Sequence, residues 1–469
     1  MTSANSQSDT RPFSPVFLFI LCAVLNKNST FLFNTMLLLN IFVSLHIRLQ
    51  IHPQTMRTII SNQRKERDLL LSRPYLTRHT KYDVEELLAS RQIKLITGPR
   101  RTGKSTEALL MLKGRNFAYL NFDDGKLLNA WDDDLVWDSL QQVYPGFDYL
   151  MLDEVQNLDG WDLWVSKLYR QGINMVVTGS NAKLLSSEMA TLLTGRYIQM
   201  EMLPFSLSEF FAWNGVDLSD LRKENAASAK SLTDDYLHHG GYPETVAARG
   251  LTQSYLATLF DSIVWKDIAR RHNVRNVEDL NNLALYLLSN FCNPFSANEL
   301  AGELGLSSVA TTKKFIGYLR EPYLFYFLPR YNNKLRLMAK APQKAYVVDN
   351  GFVEAKAFSV SENLGRLLEN QVFIELLRRG YDTEKSLFYY RSRNDREVDF
   401  VTRQGVHVDS LIQVCYDLSS ERTLKREADS IVECAGELKC SNLIIVTMDE
   451  ERAVEWKGYT IKVVPVTRF

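Results

Sequence analysis

Nine consecutive residues, Gly98 to Thr106 (GPRRTGKST), carry the densest chemistry in this 469-residue chain. Glycine at Gly98 and Gly103 permits backbone angles that turn successive N–H groups around a phosphate chain. A helix starting at this point adds a dipole that favours anions. Pro99, Arg100, Arg101 and Thr102 fill the variable positions between the glycines. Lys104 would reach the β and γ phosphates, the Ser105 hydroxyl would help hold Mg²⁺, and Thr106 would lead into the helix. The setting is the required one: an alternating apolar run, Ile93–Thr97, comes before, and a helix-permissive run, Thr106–Lys113, comes after. With glycine near 7% of residues, the four fixed positions recur by accident in about one or two chains of this length per hundred.

A second stretch, Phe147 to Glu154 (FDYLMLDE), reads as a buried strand ending in two acids. In a parallel sheet ligands collect at the carboxyl ends of strands. There Asp153 would orient Mg²⁺ through water, and Glu154 would polarise the attacking water as a general base. Ile173–Thr178 is the next buried strand, followed by Gly179, Ser180 and Asn181. A polar residue here can hold the attacking water against the γ phosphate. Thr178, Ser180 and Asn181 compete for that task, and a helix cap is the plainer role for Ser180 or Asn181. Arg196, just before the strand Tyr197–Leu203, is a candidate arginine finger acting in cis or from a neighbouring subunit. Its plainer role is a surface ion pair. No N-K-x-D guanine-selecting element follows the fourth strand, since Asn181-Ala182-Lys183-Leu184 lacks the acid, and this favours ATP over GTP.

Four stretches, GPRRTGKST, YLMLDEVQN, VVTGSNAKLLS and TGRYIQMEMLPFSLSEF, resemble a widespread prokaryotic group of AAA-type ATPases in which the core is joined to a C-terminal domain of unknown function. The resemblance runs from Met56 to the C-terminus. It implies a parallel sheet of strand order 5-1-4-3-2, with ATP and Mg²⁺ bound at its carboxyl edge. Leu203–Phe210 is the group's exit from the core, and Gly240–Glu244 matches its GGYPE turn.

The totals are those of a globular chain of two to four units, with 45% hydrophobic and 23% charged residues. Lys plus Arg (55) equals Asp plus Glu (55), so no global basic field recruits nucleic acid. Cys22, Cys292, Cys415, Cys434 and Cys440 form no C-x-x-C pair, which points to a reducing, cytoplasmic setting. Residues 1–55 stand apart. Pro15–Leu25 and Thr30–Ile47 are apolar, and the second run approaches the roughly 18–20 residues of a membrane span. An upstream segment translated through a start-site assignment is the plainer account, with Met56 as the ordinary start; a membrane partner follows only if the segment is genuine.

Residues 57–90 read as helical and charged, and 215–290 as helices, with Lys266, Arg270 and Arg271 on one basic helix. Phe295–Leu319 has a helix-turn-helix pattern, Ser296 and Glu299 forming a capping box. Tyr323–Pro329 would be the wing strand. Such a unit can enter a DNA major groove, although Lys313 and Lys314 are its only helix cations of note. From Lys344 short strands and the helix Asn363–Arg379 resemble a restriction-endonuclease-like fold. Glu369 and Asp399 match two of its metal-binding positions. The third departs from it: Gln413-Val414-Cys415 stands where an acid and a lysine are needed, which argues against an active nuclease. The expected architecture is therefore α/β. An apolar extension (1–55) precedes an AAA-type core (56–213), a helical and winged-helix part (214–340) and a nuclease-like domain (341–469). The expected activity is ATP hydrolysis driving movement of the C-terminal parts, with an unidentified protein, a second copy or DNA as partner.

Overall fold

The computed structural model describes residues 53–181, 193–218, 226–358 and 363–469. The two apolar N-terminal runs and residues 182–192, which include Ala182-Lys183-Leu184, lie outside them. Among the described residues no helix is long and apolar enough to cross a membrane. The chain forms two compact units, residues 53–64 with Asp124–Gly146, and Lys65–Asp123 with Phe147–Phe469.

In the smaller unit, the start of the helix Pro53–Leu71 accompanies the helices Gly125–Asn129 and Asp133–Val143. Arg64 donates to the Val143 carbonyl at 2.6 Å and lies over the Tyr144 ring. Asp132 caps the last helix by accepting from the N–H groups of Asp134 and Leu135.

The larger unit holds three sheets. The first contains β1 (Ile93–Thr97), β2 (Phe117–Asn121), β3 (Tyr149–Asp153), β4 (Asn174–Gly179) and β5 (Tyr197–Glu201). Its order is β2-β3-β4-β1-β5 and every pairing is parallel. That is the order which the resemblance implied. All five residues of β1 are buried. Lys94 is fully buried with them, its ammonium donating to the Ser90 carbonyl and to Asn174 Oδ1. Helicity expected over 57–90 breaks between Leu71 and Val84, where Pro74 removes a donor.

The second sheet is small: β6 (Pro294–Phe295), β7 (Phe325–Pro329) and β8 (Gln343–Val347), antiparallel in the order β6-β8-β7. Helices Ala297–Glu303 and Val309–Arg320 lie between β6 and β7 in sequence, capped by Ser296 and Ser308. The boundary expected at 340/341 falls inside the β7–β8 hairpin, because β8 completes this sheet. The third sheet comprises β9 (Leu387–Arg391), β10 (Glu397–Gln404), β11 (His407–Val414), β12 (Leu443–Thr447), β13 (Arg452–Trp456) and β14 (Tyr459–Pro465). Its order is β13-β14-β12-β11-β10-β9, and β11, β12 and β14 are parallel. The hairpin β13–β14 carries no signal that the sequence reading used. One apolar core joins the segment from Leu203 through the middle helices to the face of the third sheet.

Candidate functional site

The loop between β1 and the helix Lys104–Met111 is built by its glycines. Gly98 takes φ 138°, and a Cβ there would lie 2.2 Å from the Met202 carbonyl oxygen. Gly103 takes φ 91° at the N-cap of the helix. Arg101 also takes a left-handed angle, φ 67°, a conformation costing side chains roughly 1–2 kcal/mol. Lys104 is buried, and its ammonium donates to the Pro99 carbonyl at 2.7 Å and lies 3.8 Å from Glu154 Oε1. Burial lowers its pKa while Glu154 and Asp153 oppose that shift.

Asp153, at the end of β3, is the hub. Its Oδ1 accepts from Ser105 Oγ at 2.6 Å and from the Thr178 hydroxyl, and its Oδ2 accepts from Tyr119 OH at 3.2 Å. Burial pushes this carboxyl up to about 6 against the pull of the two hydroxyls on Oδ1. Glu154 leaves the strand at φ 52°, a strained angle of the kind that collects at active sites. Its N–H donates to Thr178 Oγ1 at 3.0 Å, and Ser180 Oγ donates to its Oε2 at 2.9 Å. Gln156 also reaches that oxygen. Thr178 near the end of β4 and Ser180 just after it thus divide their work, Thr178 bonding Asp153 and Ser180 bonding Glu154. Asn181 is buried beside them in sequence.

The structure brings together Pro99, Lys104, Ser105, Asp153 and Glu154, and places Arg196 elsewhere. Ile93 at the start of β1 donates to the Arg196 carbonyl at 2.8 Å. Arg196 therefore sits at the amino edge of the sheet, a full strand length, roughly 15 Å, from the loop that follows Thr97. Its guanidinium donates to Ser166 Oγ at 3.0 Å and lies over Tyr169. It does not serve as a finger for the site in its own chain.

A cavity of about 620 Å³ opens over this loop. Arg100–Thr106, Asp123, Asp153 and Glu154 line it, together with Tyr75, Leu110, Phe205 and Trp213. The sequence assigned several partners in and around it no part in the site. Arg78 is the first: its guanidinium donates to Thr102 O (2.9 Å), Leu203 O (2.8 Å) and Glu209 Oε1 (2.8 Å). Glu209 and Ser206 form the capping box of the helix Leu207–Trp213, so Arg78 ties the phosphate loop to the exit from the core. Asp267 and Glu244 are the others, facing Arg100 and Arg101.

In the C-terminal domain Glu369 and Asp399 do meet, around a lysine that the sequence reading did not consider. Lys344 of β8 is buried, and its ammonium lies 2.9 Å from Glu369 Oε1, 2.8 Å from Glu397 Oε1 and 3.2 Å from Asp399 Oδ1. Burial alone would lower its pKa, but the three carboxylates raise it well above the ordinary lysine value. Gln413 follows Ile412, which pairs with Phe400 across β10 and β11, and the Val414 N–H donates to Asp399 Oδ2 at 2.9 Å. Burial pushes the Cys415 thiol up to about 11, so it supplies neither a charge nor a thiolate.

A family model described as an AAA domain matches residues 90–211. Two domains of unknown function follow, DUF8612 over 230–362 and DUF4143 over 364–469. An uncharacterized protein of Methanocaldococcus jannaschii is 32% identical over 403 residues, 82% of this chain and 89% of that protein. An uncharacterized protein of Haemophilus influenzae is 33% identical over 346 residues, 70% of this chain and 83% of that protein. Among solved structures, the Walker-type ATPase of Pyrococcus abyssi aligns at 14% identity and TM-score 0.41, covering 61% of this chain and 99% of that one. The Orc1 protein of Aeropyrum pernix in complex with DNA aligns at 12% identity and TM-score 0.29, covering 67% and 97%. With its phosphate loop, acidic strand end and trailing domains, the chain belongs to the family of AAA-type P-loop ATPases that carry C-terminal domains of unknown function.

Proposed function

We propose that the chain binds ATP with Mg²⁺ at the carboxyl edge of its parallel sheet, hydrolyses it, and uses the cycle to reposition its helical and C-terminal domains. The observation that carries this reading is the convergence of Ser105, Asp153 and Glu154 on Lys104 at the head of one helix. The donor set suits Mg²⁺: a serine hydroxyl 2.6 Å from a buried carboxylate offers hard oxygen ligands. Ser105 and Asp153 would hold the ion, which when bound would neutralise phosphate charge. Lys104 would exchange the Pro99 carbonyl for β and γ phosphate oxygens. Backbone N–H groups from Gly98 to Thr106 would cradle the phosphates. Glu154, oriented by Ser180 and Gln156, would accept the proton of the attacking water, with Asn181 at hand to position that water. The part of the cavity lined by Tyr75, Phe205 and Trp213 would take the adenine ring, as mostly apolar pockets take planar ligands.

The reading puts the protein in the cytoplasm, where its buried free thiols Cys292, Cys415, Cys434 and Cys440 stay reduced. Its partner would be another protein or a second copy. DNA is the second reading, favoured by one observation: Lys313 and Lys314 are exposed on the helix Val309–Arg320, and the β7–β8 hairpin adds exposed Lys334, Arg336 and Lys340. Nuclease chemistry is not part of the proposal, since Gln413 and Cys415 depart from an acid and a lysine, and Lys344 already engages the acids that are present.

The test is ATP turnover by the full chain beside Lys104→Ala and Glu154→Gln, with and without duplex DNA. Turnover abolished in both variants and indifferent to DNA supports an ATPase acting on protein. DNA-stimulated, salt-sensitive turnover moves the second reading to first place. Nucleotide binding without turnover in the parent chain removes the hydrolysis step.

A further inference from the structure

Both variable arginines of the phosphate loop are already engaged by carboxylates from outside the core. Arg100 Nη1 lies 2.9 Å from Asp267 Oδ1 and 3.2 Å from its Oδ2. Arg101 Nη1 lies 3.8 Å from Glu244 Oε1. Glu244 belongs to the helix Pro243–Ala247, which follows the Gly240–Gly241 turn, and Asp267 lies in a π-helical stretch, Ile263–Arg270. Such stretches are rare and frequent at functional sites. The Asp267 side chain is 18% exposed. Burial raises its pKa, while Arg100 and then Arg271 oppose and Glu154 adds to the rise, so this acid lies within the field of the hydrolytic centre.

A guanidinium binds carboxylate and phosphate oxygens with the same fork of donors, and the more highly charged phosphate chain is the stronger acceptor. We propose that Asp267 competes with nucleotide phosphate for Arg100: it holds that side chain in the absence of nucleotide, and a triphosphate takes the guanidinium over from it. Asp267 is then a positioning residue that sets affinity through Arg100, and its release frees the π-helical stretch from the loop. Glu244 on Arg101 is a longer and more exposed version of the same arrangement. The inference rests on the ATP-binding reading and adds to it the contact through which the middle domain registers nucleotide.

The test is a double-mutant cycle on the full chain, reading the dissociation constant of a non-hydrolysable ATP analogue with Mg²⁺ by calorimetry. Asp267→Asn, which keeps the side chain's shape, should tighten binding about fivefold, the worth of a partly exposed ion pair near 1 kcal/mol. Arg100→Ala should weaken binding, and adding Asp267→Asn to Arg100→Ala should then change it by less than about twofold. In steady state Asp267→Asn should lower KM for ATP with kcat little changed. Weaker binding by Asp267→Asn overturns the proposal, because the acid would then be orienting Arg100 for phosphate. Tightening that persists in full without Arg100 also overturns it, since the effect would be the general field of a removed charge. A parent chain that binds no analogue sinks the ATP reading itself, an outcome separate from either of these.

Discussion

Replacing Arg78 by alanine removes one side chain and two kinds of restraint. Its guanidinium is 9% exposed and its partner Glu209 is 2% exposed. Burial pushes the Glu209 carboxyl up, but the charge and hydrogen bond of Arg78, helped by Arg378 and the Ser206 N–H, bring it down from 4.5 to about 2. At about 1.4 kcal/mol per pKa unit, that net depression corresponds to roughly 3 kcal/mol. Breaking a buried pair by deleting one partner costs about 3–5 kcal/mol, so the two magnitudes agree. The folded-state pKa lies below the unfolded one, so this stability is present above about pH 4.5 and fades as pH falls toward 2. Arg78→Ala should therefore lose about 3 kcal/mol at pH 7, and the gap to the parent should narrow below pH 4.5 as Glu209 protonates in both. Urea unfolding across pH 7 to 3, followed by tryptophan fluorescence, reads the difference. A penalty under about 1 kcal/mol, or one that stays constant down to pH 3, would refute the assignment of the Glu209 shift to Arg78.

Four further outcomes are expected. Lys344→Met should cost about 3–5 kcal/mol by taking the buried ammonium from Glu369 and Asp399, and because burial and Asp399 already push the Glu369 carboxyl up to about 7, the variant should be least damaged near pH 5 and worse as pH rises past 7; thermal melts at both pH values check this. Gly98→Ala should abolish nucleotide binding and lower yield of folded protein, since its Cβ would meet the Met202 carbonyl at 2.2 Å; a variant with parental affinity would contradict the close approach. Arg196→Ala should leave ATP turnover of dilute protein within about twofold of the parent, as expected of a partly exposed residue that bonds Ser166 far from the phosphate loop. A large loss there would mean that a second copy presents Arg196 to the site. Charge reversal at Lys334 and Arg336 should leave turnover unchanged and, if duplex DNA binds, lower the salt slope of binding by about two units.

What the sequence disclosed was local. The phosphate loop depends on residues within nine positions, and the acids of β3 follow a buried run that patterning exposes. Strand order came with the resemblance, and β2-β3-β4-β1-β5 agrees with it. Two roles were open for Arg196, because adjacency to a core strand does not say which end of the strand faces the ligand; the fold sets it at the start of β1, away from the site of its own chain. Arg78, Asp267 and Lys344 were missed for a shared reason. Arg78 meets Glu209 across 131 positions, Arg100 meets Asp267 across 167, and Lys344 meets Asp399 across 55. Charge complementarity at such separations leaves no local pattern, because only the fold makes the residues neighbours.

The position of Lys344 bears on how this chain can be divided or recombined. The DUF4143 match begins at residue 364 and contains Glu369, Glu397 and Asp399, while Lys344 lies within the DUF8612 match that ends at 362. A C-terminal fragment cut at that junction would inherit the acids without the ammonium that they share, keeping only Arg391 beside Glu397, and a chimera exchanging the last module would need a lysine from its new neighbour. In this chain the two modules therefore share one buried charge cluster, and separating them would take from Glu369, Glu397 and Asp399 the buried ammonium that they hold in common.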